Sequence, residues 1–368
     1  MKTSDLLTRS QCEAMKGLAI LCIMMHNFSH YLTRGVQENE YWFNEENGRN
    51  MWNFLSHMTL GSATLLPIYL FTFMGIGVHV FTFMSGYGLV KKYEEPTMRR
   101  VGAWRFIRYR YLKLIRLMLG GYLLCMIVWW LVHKELLTDP LSIVAQLTMT
   151  INLLPYPGDH IVPGPYWFLG MIMEMYVIYR LLLYRKSAGS LWRRNVPTLV
   201  MIAVALIAVT LCEPYPKSDL LVYLRYNCIY GALPFGLGVL AARVDWSRVH
   251  VQKWLYWLSL PVLVVLMFVA NYSFWLWMFI PVFAIVFVFI IIRLSSLRLQ
   301  KGLAWVGALS AMLFIMHPAV RECFLGPARD SATSILMRYV YIGAYFLISF
   351  ILAMGYRRFL KLLPNPKL

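Results

Sequence analysis

Long apolar stretches recur from one end of this chain to the other, and no other feature limits its fold as tightly. Most are about 17–25 residues, the length a helix needs to cross ~30 Å of hydrocarbon. They fall near residues 14–32, 64–90, 112–132, 166–184, 197–212, 226–242, 255–271, 274–292, 303–318 and 334–355. The expected fold is an all-α integral membrane protein, a bundle of about ten transmembrane helices. Composition agrees: 60% of the residues are hydrophobic and 14% are charged, whereas a soluble domain carries roughly 25% charged residues. A length of 368 residues has room for two soluble domains, but the hydropathy leaves one membrane domain over residues 1–368. The first apolar run begins near Ala14, carries His26 and His30, and does not end in a small-residue cleavage site. It reads as a retained helix rather than a signal peptide.

The net charge is +18. In a soluble protein that excess would suggest nucleic acid; here it has a topological cause, and no nucleic-acid partner is expected. With the N-terminus inside, the cytoplasmic segments hold 27 Lys and Arg and the outer segments 8. That asymmetry is the positive-inside pattern and puts both termini in the cytoplasm. Cys12, Cys22, Cys125, Cys212, Cys228 and Cys323 show no CxxC spacing and lie mostly within or beside spans. Neither a disulfide framework nor a zinc site follows, and no metal is expected.

Three connections stand out. The first outer loop, about 33–63, carries Glu38, Glu40, Glu45 and Glu46; it is either a solvated connector or a contact for a polar acceptor. The inner segment 91–116 contains nine Lys or Arg. Its Arg105, Arg108 and Arg116 fall on roughly one helical face, which suits phosphate groups or anionic lipid headgroups. The outer stretch 154–165, LPYPGDHIVPGP, is turn-forming, and Asp159 and His160 within it fit turn chemistry better than catalysis.

Ionisable residues inside spans are costly and so are functional candidates. His26 lies ten residues beyond Lys16, about 15 Å along a helix, which places Lys16 near the inner surface and His26 near the midplane. His30 follows one turn later. His79 sits in GIGVHVFTFMSGYGL, whose Gly75, Gly77, Ser85, Gly86 and Gly88 permit close helix packing or a local break. Glu174 and His317 complete the set, in the fourth and ninth spans. For each, a hydrogen bond inside the bundle is the competing reading. GxxxxGK[ST], HExxH and GxSxG are all absent, so the sequence offers no phosphate loop or metal-binding helix pair and a serine-hydrolase reading is poor.

In order, MKGLAILCIMMH, GVHVFTFMSGYGL, FIRYRYLKLIR, PYWFLGMIMEMYVIY, ALPFGLGVL and SAMLFIMHPAV resemble the blocks of acyltransferase family three. These are membrane-bound acyltransferases of sugars, O-antigens and other cell-surface glycans, and the resemblance runs from about residue 10 to 355. It implies a cytoplasmic acyl-CoA donor, often acetyl-CoA, and a hydroxyl acceptor on a glycan or lipid-linked sugar, in a bacterial inner membrane. It implies His26, Asn27 and Lys16 as catalytic candidates. Arg105, Arg108, Lys113 and Arg116 are implied for the CoA phosphates, and His79, Ser85, Trp167, Glu174 and His317 for the substrate. The family pattern has ten residues between the basic residue and the histidine; here nine separate Lys16 from His26. An offset of ten rotates ~1000°, leaving the two ~80° apart, and Asn27 takes the position aligned with Lys16. A transporter or flippase using His26 or Glu174 as a proton relay is the competing class, although no inverted repeat or pair of interrupted helices is evident.

Overall fold

The structure is a computed structural model describing residues 5–33, 35–95, 97–98, 100–135, 138–186 and 189–368. Among the described residues it is all-helical, with no strand. The longer helices that carry the argument are α1 (Arg9–Ser29), α2 (Glu45–Ser56), α3 (Leu66–Met74), α4 (Gly77–Tyr93), α5 (Ala103–His133), α6 (Trp167–Ile178), α7 (Leu191–Thr210), α8 (Asp219–Tyr226), α9 (Cys228–Arg243), α10 (Lys253–Val269), α11 (Ile280–Leu294), α12 (Leu297–Arg329) and α13 (Ile335–Leu362).

Each of the ten expected apolar segments meets a helix. Six helices are long and apolar enough to cross a membrane, and a seventh span results if α3 and α4, bent by 44° at their junction, count as one. The helices α9 and α11 are apolar but shorter. A helix suits this setting because it satisfies its own backbone hydrogen bonds in lipid.

Burial sorts the bundle into centre and rim. On α5, Leu123, Ile127, Trp130 and Leu131 are exposed, as are Val200, Val204 and Ile207 on α7 and Leu347 and Ile351 on α13. Such apolar surface belongs against hydrocarbon. α1 is different: it carries Glu13, Lys16, His26 and Asn27, yet its Ala14, Met15, Ala19, Ile20, Met24 and Phe28 are all fully buried. It is an interior helix, begun by a capping box in which Thr8 and Gln11 satisfy each other's backbone N–H groups.

Two crossings fix the centre, and both depend on glycine. A Cβ on Gly17 would sit 1.9 Å from the Leu303 carbonyl oxygen, and one on Gly307 would sit 1.9 Å from that of Glu13. Helices α1 and α12 therefore meet backbone to backbone. A Cβ on Gly86 would lie 2.2 Å from the Phe235 oxygen, and one on Gly238 2.1 Å from the Phe83 oxygen, so α4 and α9 meet likewise. Small residues permit this close approach where apolar burial alone cannot drive association.

At the end of α4, Glu94 joins several elements. Its carboxylate accepts from Arg243 Nη2 at 2.7 Å and Nε at 2.9 Å, from Arg194 Nη2 at 3.3 Å and from the Tyr179 hydroxyl at 3.2 Å. The chain around α4, α7 and α9 is thus tied together by one buried carboxylate.

Candidate active site

His26 lies in the last turn of α1, beside the loop that follows, rather than mid-helix. Its Nδ1 is 2.9 Å from the Phe71 carbonyl oxygen. A carbonyl only accepts, so Nδ1 carries the proton and Nε2 holds the lone pair. His26 lines a cavity of about 190 Å³ together with Asn27, His30, Tyr31, Glu38, Glu40, Tyr41, Trp167, Phe168, Tyr226, Phe314 and Arg321, among others. A smaller space of about 30 Å³ adjoins it, sharing His26, Glu38, Glu40 and Gly75 and reaching His79 and Arg225.

The loop after α1 is a built wall. Asn39 donates to Asn271 Oδ1 at 3.0 Å and accepts from Asn47 at 2.7 Å, and its carbonyl accepts from Trp277 Nε1 at 2.7 Å. Arg225 donates to the Glu40 carbonyl from Nε at 2.8 Å and Nη2 at 2.6 Å. These bonds hold Glu38, Glu40 and Tyr41 at the cavity. Glu38 Oε1 accepts from His30 Nδ1 at 3.0 Å and lies 3.7 Å from His26 Nε2. Burial would raise the Glu38 carboxyl, but the hydrogen bond from His30 outweighs it and the carboxyl is held down at about 2. Burial pushes Glu40 up. Tyr41 stacks on Tyr226 with ring centroids 4.2 Å apart, and Trp167 meets both edge-on.

The sequence candidates divide. Asn27 and Trp167 line the cavity with His26; the Asn27 amide donates to the Ile23 carbonyl at 3.0 Å, leaving its oxygen for a ligand. His79 borders the smaller space, stacks on Tyr230, and has a buried Nδ1 with no hydrogen-bond partner among the described residues. Lys16 is not brought to the cavity: it pairs with Glu13 at 2.8 Å, some 15 Å of helix away from His26. Ser85 borders neither space and sits beside Gly86, at the α4–α9 crossing. Glu174 accepts the Cys228 N–H at 2.8 Å and so holds the N-terminus of α9. His317 is fully buried with Nδ1 3.1 Å from the Leu313 oxygen.

The basic face is separate from the cavity. Arg105, Arg108 and Lys113 are exposed on the first turns of α5. Arg105 donates to the Leu368 oxygen at 2.7 Å, and Arg116 binds Asn365 at 2.6 Å together with the Leu360 and Leu363 carbonyls. Pro96 and Arg99 of this segment lie outside the described residues.

Tyr41, Arg225 and Arg321 join the site without having been singled out for it, while Glu38 and Glu40 stand in the sequence only as acidic residues of a loop open to either a connector or an acceptor role. Arg321 is buried one turn beyond His317, its guanidinium over the Tyr31 ring and 2.8 Å from Glu322. That a buried arginine would follow a membrane histidine by four residues was the one available signal. The ligand atoms of His26, His30 and Glu38 lie within 4.8 Å of one another, close enough to share a divalent cation, although His30 and Glu38 already satisfy each other.

A multi-pass helical membrane protein with a histidine-bearing polar cavity is the class defined by fold and site. The acyltransferase domain family matches residues 10–357, and the chain belongs to that family, as its sequence blocks indicated. Among curated proteins and solved structures nothing matches the chain. Membership makes it a membrane acyltransferase and does not favour the transporter reading.

Proposed function

We propose that this protein transfers an acyl group, acetyl by family habit, from a cytoplasmic acyl-CoA to a hydroxyl of a cell-surface glycan or lipid-linked sugar. The setting is the bacterial inner membrane, with ten spans and both termini in the cytoplasm. The observation that carries the reading is His26: the Phe71 carbonyl fixes its Nδ1 proton, and the residue lines a polar cavity with its Nε2 3.7 Å from Glu38, another residue of that lining.

His26 Nε2 takes the proton of the acceptor hydroxyl as that oxygen attacks the thioester carbonyl. The C–S bond then breaks, and CoA leaves as a thiolate that recovers the proton. Arg321 supplies positive charge to the oxyanion of the tetrahedral intermediate, the kind of fixed stabilisation that acts on charge as it develops. Asn27 offers its amide oxygen to the acceptor, and the Tyr41–Tyr226 stack with Trp167 gives a sugar ring an aromatic wall. Arg105, Arg108, Lys113 and Arg116 hold the CoA phosphates at the basic face. Lys16, paired with Glu13, acts on the inner half of α1 and not on the reacting atoms.

The test is titration of acetyl-CoA against the purified protein, with dephosphorylated analogues, followed by thiol release. His26→Ala is expected to lower turnover by ~10²–10⁴ while the protein stays folded. Arg105→Gln with Arg108→Gln is expected to raise the KM for acetyl-CoA about tenfold, the effect of losing one charged hydrogen bond's worth of binding. Full activity in His26→Ala would sink the assignment of the base.

A further inference from the structure

We propose that Glu38 is a positioning residue of this site, a loop carboxylate that stabilises His26 only once His26 has taken the acceptor's proton. The inference rests on the reading of His26 as the base and adds a residue outside the membrane helices.

The geometry discriminates between two states of His26. With Nδ1 committed to the Phe71 carbonyl, the resting Nε2 is an acceptor, and the Glu38 oxygen 3.7 Å away is another acceptor. No hydrogen bond links them, and resting His26 gains nothing from Glu38. Once Nε2 carries the acceptor's proton, the same pair becomes an N–H donor facing an anion. An interaction present in the charged state and absent in the resting state lowers the barrier rather than the ground state. The proton balance is unchanged: it moves from the acceptor hydroxyl to Nε2, then to the departing thiolate.

Two features keep Glu38 ready for this. His30 Nδ1 donates to it at 3.0 Å, fixing its oxygen and favouring the anion. The loop is pinned on either side of it, by the Thr33 hydroxyl donating to the Val36 carbonyl at 2.8 Å and by the Asn39 and Glu40 contacts. The charged and titratable groups around His26 are His30 from α1, Tyr31, Glu38, Glu40 and Tyr41 from the loop, His79 from α4, Arg225 and Tyr226 from α8, Tyr230 from α9 and Arg321 from α12. Glu38 is the one placed in reach of Nε2.

The experiment uses the full chain in lipid nanodiscs, as wild type, Glu38→Gln, Glu38→Asp and, as a control on the same outer segment, the exposed Glu46→Gln. Two readouts are taken. The first is carbethoxylation of His26 by diethyl pyrocarbonate at fixed, mildly acidic pH, followed by mass spectrometry; it needs neither donor nor acceptor. Glu38→Gln is expected to speed it several-fold, on the order of tenfold, because Nε2 no longer faces a carboxylate oxygen at 3.7 Å, with Glu38→Asp and Glu46→Gln close to wild type. The second is thiol release from acetyl-CoA, where Glu38→Gln is expected to lower kcat about 10²-fold with KM unchanged, and Glu38→Asp to recover part of the loss. Equal modification of His26 in wild type and Glu38→Gln overturns the proposal, as does a kcat unaffected by Glu38→Gln. Stoichiometric zinc in the purified protein, lost with Glu38→Gln, replaces it with a metal site. If the wild type releases no thiol while the carbethoxylation result holds, the acyl-transfer reading fails and the coupling of Glu38 to His26 stands.

Discussion

Removing the Glu94 side chain isolates a cation that has nowhere to go. The Glu94 and Arg243 side chains are 1% and 0% exposed, and their two-point contact has distances of 2.7 and 2.9 Å. In Glu94→Ala the Arg243 guanidinium stays buried without its counter-charge, a change that costs about 3–5 kcal/mol. Arg194, 28% exposed, can turn to solvent and adds little. Replacing both partners by Met is the informative comparison. Apolar replacement of a buried pair is often neutral, but here Arg243 also donates to the Leu183 carbonyl at 2.7 Å and the Arg194 carbonyl at 2.6 Å. The Leu183 carbonyl would lose this donor, at about 1–3 kcal/mol, so the double variant should remain destabilised. The pair's coupling should nevertheless be about 2–3 kcal/mol in a double-mutant cycle. The assay is reversible unfolding in mixed micelles, followed by tryptophan fluorescence. A Glu94→Ala loss under ~1 kcal/mol, or a coupling near zero, would refute the claim that this carboxylate organises the neighbouring ends of α4, α7 and α9.

Gly307→Ala should cost about 1–3 kcal/mol by overpacking, because the atom its Cβ meets is the Glu13 backbone oxygen, which cannot swing aside; the exposed Gly302→Ala on the same helix, with no neighbour near its Cβ, is the control in the same unfolding assay. The acid limb of stability should carry Glu38. Its carboxyl falls from 4.5 to about 2 on folding, so its contribution, of order 3 kcal/mol, is fully present above pH 4.5 and is lost as pH falls through about 2. Glu38→Gln should flatten that limb in unfolding midpoints measured across acid pH, and an unchanged limb would deny the folded-state anion. Glu40 has the opposite sign: burial raises it, so its share of stability is present in acid and lost as pH rises, and Glu40→Gln should be no less stable than wild type at neutral pH.

The helices were legible because lipid imposes one local rule, length and apolarity, that a single segment must satisfy by itself. α1 shows the limit of the rule, since a helix shielded by its neighbours can carry Glu13, Lys16, His26 and Asn27 where a lipid-facing helix cannot. In the site, His26, Asn27 and Trp167 were legible as polar or motif residues inside apolar runs. The rule that a membrane ion marks function also chose Glu174 and His317, and there it met two structural bonds, to the Cys228 N–H and the Leu313 oxygen. What could not be read was the wall of the cavity. Glu38 and Glu40 sit in a stretch that looks solvated, and what holds them, Asn271, Trp277 and Arg225, lies about two hundred residues away in sequence. No local pattern encodes such a partner.

The break between α3 and α4 links fold to chemistry more directly than any motif does. Gly75 ends α3 in the left-handed region, φ +43°, a conformation that a side chain disfavours. Phe71 lies in the last turn of α3, where carbonyls have no N–H above them in the helix. In a continuous helix the Phe71 oxygen would be spent on a backbone bond. Because the helix stops, that oxygen is left to accept from His26 Nδ1, and a Cβ on Gly75 would come within 3.8 Å of His26 Cε1. The glycine acts through its backbone conformation, ending the helix and so freeing the acceptor that chooses the tautomer; a Cβ there would meet the ring at ordinary contact distance. A straight span at this point would still cross the membrane, but it would remove the acceptor that fixes the tautomer of His26.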